Sequence, residues 1–89
     1  MDRVAKLVGD EPHSRIVHLP ERRFPGVVFQ GDTLHSMVSM VRGAMKEKDE
    51  EERYYALKDL EEILGLALED YKATLSGLGM ELPFFEETD

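Results

Sequence analysis

The chain has 89 residues, no cysteine, 42% apolar residues and a net charge of −8; it reads as one domain with one modest core and neither disulfides nor thiolate metal sites. No apolar run approaches the roughly 18 residues of a membrane span, and residues 1–6 hold no apolar signal core, so a cytoplasmic protein with no membrane partner is expected. Residues 1–31 carry five Lys/Arg against four Asp/Glu, and residues 32–89 carry six against fifteen, which is +1 against −9; direct nucleic-acid binding is disfavoured and a basic protein partner is the natural expectation.

The first third alternates short β-branched runs with turn chemistry. Val4 to Val8 is followed by Gly9-Asp10-Glu11-Pro12, Arg15 to Leu19 ends at Pro20, and Val27-Val28-Phe29 follows Pro25-Gly26. This predicts a three-stranded antiparallel β-meander over 1–31, with Gly9-Asp10 as the hairpin turn. Pro20 and Pro25 lack a backbone donor and therefore bracket the second connection.

The period then changes. After the break at Gly31, with Asp32 or Thr33 as N-cap, Leu34, Met37, Val38, Val41, Ala44 and Met45 recur at spacings of three and four, which predicts an amphipathic helix over 33–47. A second helix is predicted from about Asp49 to Ser76, with Glu50, Glu51 and Glu52 at its positive end and Gly77 and Gly79 as its stop. The fold class is therefore α+β: the meander, then a two-helix antiparallel hairpin over 32–79 with a long second helix, then a tail over 80–89.

On a helical wheel, Tyr54, Leu57, Leu60, Leu64, Ala67, Leu68, Tyr71, Leu75 and Leu78 share one broad face, expected to pack on the sheet and the first helix. Tyr55, Leu66 and Ala73 form a narrower stripe on the opposite side. A helix of this length would span about 40 Å, so it either breaks near Gly65 or projects from the domain. Phe84 or Phe85 in the tail is expected to dock back on the core.

The residues that could carry chemistry form no constellation. His13, His18 and His35 have no paired-ligand spacing, Ser14, Ser36, Ser39 and Ser76 lack a nucleophile-elbow context, and no glycine motif cradles phosphate. No catalytic, cofactor-binding or metal-binding residue is assigned, and no enzyme activity is expected. Arg15, Arg22 and Arg23 are the positive side chains to note, and the pair Arg22-Arg23 before Phe24 gives an otherwise acidic chain one local basic corner.

Pro25-Gly26, a short strand, then Gly31-Asp32-Thr33-Leu34 opening an amphipathic helix resembles the strand-to-helix segment of HicB-type antitoxins over residues 24–41. That resemblance implies a protein that blocks a toxin; where a C-terminal DNA-binding module would follow, this chain has a long acidic helix. Over its full length the chain looks like families of small bacterial proteins with a β-meander and a helical hairpin. The expected function is thus a protein-binding module of antitoxin or immunity type, offering Tyr55, Asp59, Glu62, Leu66 and Asp70 to a basic partner. The alternative is a homodimeric structural protein sealed through its long helices.

Overall fold

A computed structural model of the chain describes residues 5–11 and 14–85. Three strands, β1 (Lys6–Glu11), β2 (Ser14–His18) and β3 (Gly26–Val28), are followed by two helices, α1 (Gly31–Lys46) and α2 (Glu50–Gly77). The strands form an antiparallel meander in the order β1-β2-β3, and the helices form the hairpin expected from the change of period.

Gly9-Asp10 is not the hairpin turn. Both residues lie within β1, which runs on to Glu11 opposite Ser14, so the connection falls at 12–13, outside the described residues. The register instead shifts between Leu7 and Gly9, where Val8 is the extra residue of a bulge. The bulge sets Gly9 opposite Ile16, and Ile16 opposite Val27 on β3. One row of the sheet therefore reads Gly9-Ile16-Val27, and α2 lies across it.

Ile16, on the central strand, is fully buried with Tyr71 and Leu75 of α2, and Val8, Val27, Met80 and Leu82 pack around them. Gly9 is needed because the helix comes so close: a Cβ there would sit 2.7 Å from Thr74 Oγ1 and 3.1 Å from Ile16 Cδ1. The Tyr71 hydroxyl leaves this core to donate to the Pro25 carbonyl at 2.7 Å, fastening α2 to the approach to β3.

The ends of α2 follow local rules. Asp49 is the N-cap, its carboxylate accepting from the Glu52 amide at 3.0 Å. At the other end Gly79 takes φ +69°, its amide donates to Ser76 O at 3.1 Å, and the Met80 amide donates to Leu75 O at 2.9 Å. That is a Schellman stop, completed by Met80 packing on the core beside Leu75. Helix α1 starts two residues earlier than expected: Gln30 is its N-cap and gives no side-chain bond, while Asp32 accepts from the Thr33 amide at 2.8 Å.

Between its ends α2 is unbroken through Gly65. At 1.5 Å per residue its 28 residues reach about 42 Å, against about 24 Å for the 16 of α1. The difference is used by the sheet. The first two-thirds of α2 packs on α1, burying Met37, Ala44, Leu60 and Ala67, and the last third, beyond the N-terminal end of α1, packs on β1 and β2. In the tail, Leu82 packs against the sheet–helix core but Phe84 is exposed and Phe85 is 100% exposed, so neither phenylalanine docks as expected.

Candidate protein-binding surface

The turn between the helices is rigidly specified. Arg53 donates from both Nε (3.1 Å) and Nη2 to Glu47 O, and Glu47 Oε1 accepts from the Asp49 amide at 3.1 Å. These bonds hold the start of α2 against the end of α1 and fix which sides of α2 remain outside.

Taking Leu60 as the direction that faces α1, Asp70, Asp59, Leu66, Tyr55 and Glu62 lie roughly 80–160° round α2 against the sense of the chain. Tyr55, Asp59, Glu62 and Leu66 form one strip turned away from both α1 and the sheet, and Asp70 stands at its edge toward the packed side. Tyr55 is 55% exposed and Leu66 47%, Asp59 and Glu62 are exposed, and Asp70 is half-buried. The Tyr55 ring meets that of Tyr54 edge-on, with centroids 5.5 Å apart at 72°, a contact that presents both rings side by side. The Asp70 carboxylate is partly enclosed, and its Oδ2 has no hydrogen-bond donor among the described residues. From Glu62 and Leu66 a shallow depression runs over the back of α2 past Glu69 and Gly65 to Glu61. Two ion pairs, Lys58 with Glu61 at 3.7 Å and Lys72 with Glu69 at 3.3 Å, are solvated and span one turn each. Across α2, eight carboxylates face three basic side chains, so the helix as a whole is strongly negative.

The broad face of α2 does not pack as expected. Leu60, Ala67, Tyr71 and Leu75 are buried, but Tyr54, Leu57, Leu64, Leu68 and Leu78 are exposed. The same division holds on α1, where Met37 and Ala44 are buried while Leu34, Val38, Val41 and Met45 are exposed. One helix covers only a narrow strip of its neighbour, and the sheet is occupied further along α2. The apolar width of α1 was the available signal: six apolar side chains spread over more of the helix than a single partner helix can cover.

The remaining polar candidates stay apart. His18 Nε2 lies 2.8 Å from Arg22 O and closes the turn after β2, His35 is exposed in the first turn of α1, and His13 lies outside the described residues. The Arg23 guanidinium sits 5.1 Å over the Phe24 ring. Lys6, His18, Arg22 and Arg23 line one shallow hollow at the end of the sheet, so the basic corner is joined by Lys6. Among the described residues no three His, Asp or Glu side chains converge as metal ligands, and no helix is long and apolar enough to cross a membrane.

A family profile described as "Family of unknown function (DUF6959)" matches residues 2–84 of the chain. No curated protein and no solved structure matches it.

Proposed function

The chain belongs to DUF6959, a family of unknown function, and from the chemistry of its surface we propose that it is a protein-binding module whose long acidic helix docks on a basic partner. The outer strip of α2 is the contact: Tyr55 and Leu66 supply the apolar anchors, and Asp59, Glu62 and Asp70 supply the charge. An inhibitor of antitoxin or immunity type, masking a basic toxin or nuclease in the cytoplasm, is the role this surface fits best.

The observation that carries the reading is the exposure of Tyr55, in the second turn of an acidic helix, and of Leu66, near its middle, on the side that neither α1 nor the sheet covers. Aromatic and aliphatic anchors ringed by charge are the usual composition of an energetic centre with a polar rim. The negative field of α2 steers a positively charged partner toward that strip and disfavours nucleic acid.

The test is affinity capture of the tagged full chain from its native host, beside Tyr55→Ala and Leu66→Ala. The expected result is a basic protein in stoichiometric yield with the unchanged chain. Its yield should fall at least about tenfold with either variant, as loss of a central anchor worth ~1.4 kcal/mol or more implies, while thermal midpoints stay within a few degrees. Capture of no basic protein, or capture indifferent to both substitutions, would remove this strip as the contact.

A further inference from the structure

The exposed apolar side chains of the two helices form a single surface. Val41, Leu34, Met45 and Val38 lie roughly 40–100° round α1 from Met37, and Leu64, Leu57, Leu68 and Tyr54 lie roughly 40–120° round α2 from Leu60, both in the sense of the chain. In an antiparallel pair, equal rotations in the chain sense turn both sets to the same side. The hairpin thus has an apolar front, while the acidic strip of Tyr55, Asp59 and Leu66 lies on its other side.

We propose that this front is closed by a second copy of the chain, two hairpins stacking face to face into a four-helix bundle with a sheet attached to each α2. Three observations select a second copy as the occupant. The first is area. The eight side chains are each between 37% and 77% exposed on two adjoining helices, where a monomer seldom leaves one apolar patch of more than a few hundred Å² and a specific interface takes about 800 Å² from each partner. Met45, at the centre of the α1 stripe's end, is 77% exposed.

The second is the shape of the isolated chain. It exposes 7300 Å², where a compact monomer of its mass exposes about 5300 Å². Its radius of gyration is 15.8 Å against about 12 Å for a compact domain of this length. The two helices lie side by side as a layer whose apolar side chains stay exposed, and helices in such a layer reach a stable packing by stacking on a second layer.

The third is charge. Each chain carries −8, so two copies repel over most of their surfaces. The α1 half of the front, Leu34, Val38, Val41 and Met45, contains no charged residue, and on the α2 half Glu61 stands beside Leu57, Leu64 and Leu68 but is paired with Lys58 at 3.7 Å. With the acidic strip of α2 pointing away, the front is the least charged part of the hairpin and the one on which like-charged copies can meet. The dimer stands independently of the proposed partner, which would find two acidic strips on its outside.

Light scattering on the eluting full chain at about 50 μM is expected to give twice the 10.2 kDa chain mass, with a thermal midpoint that rises with concentration. Met45→Glu combined with Leu57→Glu should halve the mass and retain the helical circular dichroism, while Leu66→Glu on the opposite side leaves the dimer intact. Because the chain has no cysteine, Val41→Cys with a bifunctional maleimide gives a readout that needs no destabilising charge: covalent dimers from Val41→Cys and none from Tyr55→Cys. A wild-type chain that stays monomeric at that concentration overturns the proposal. So does a dimer that survives the paired glutamates, or one that Leu66→Glu alone dissolves. Loss of partner capture with the dimer intact would count only against the acidic strip.

Discussion

At Tyr71 the ring fills the space between α2 and the sheet, and the hydroxyl reaches the Pro25 carbonyl. Burial pushes the phenol above its ordinary value near 10, since the ionised form would lose its hydration. A raised folded pKa means that the folded state keeps its proton while the unfolded chain gives it up. The stability tied to Tyr71 is complete below pH 10 and is lost as pH rises beyond it. Tyr71→Phe should cost about 1–2 kcal/mol at neutral pH, by leaving a buried carbonyl unpaired, and should flatten the fall in urea midpoint above pH 10. At Gly9 a methyl group would press on Thr74 and Ile16. Gly9→Ala is expected to destabilise by about 1–3 kcal/mol, and adding Thr74→Ala should recover part of that loss in a double-mutant cycle read by denaturant unfolding. A glycine between Val8 and Asp10 reads locally as a turn. Its actual use, admitting a helix 65 positions further on, depends on a contact that no local pattern encodes.

The two helices differ at the scale of the element. α2 has a side-chain N-cap, three glutamates in its first turn and a glycine-based stop, whereas α1 begins at Gln30 with no side-chain bond. Asp49→Ala should lower stability by about 1 kcal/mol, and Gln30→Ser should raise it by about 0.5–1 kcal/mol, both read as shifts of the urea midpoint at constant slope. The stop of α2 was legible in Gly77 and Gly79 because it depends on residues within one turn. The start of α1 was not: the Gly31-Asp32-Thr33 run contains two good capping residues, and the chain path leaving β3 puts the helix start ahead of both.

For the molecule as a whole, the separation of acidic strip and apolar front decides how it can associate. If the proposed basic partner docks on α2, long-range charge governs the encounter, so the association rate should drop by at least about tenfold when salt is raised from about 50 to 500 mM. Dissociation, which the proposal assigns to Tyr55 and Leu66, should change little, and stopped-flow mixing of the purified pair separates the two. The proposed dimer should instead hold or tighten over the same range, because salt screens the repulsion between like-charged copies.

Legible in the sequence were the number, order and pairing of the strands, the helix spans to within two residues, the stop of α2, and the segregation of charge, because each depends on chemistry within a few positions; the end of β1 was not, since Gly9-Asp10 reads as a turn and is used inside the strand. The sequence also placed Tyr55 and Leu66 outside, since their spacing sets them opposite the larger apolar face. Tertiary structure alone decided which part of that larger face is covered. Leu57, Leu64 and Leu68 share a pattern with Leu60 and Ala67, and periodicity cannot distinguish them. The distinction comes from the length of α1, which ends where the sheet takes over, and from the width one helix can cover on another, and these belong to the assembled hairpin.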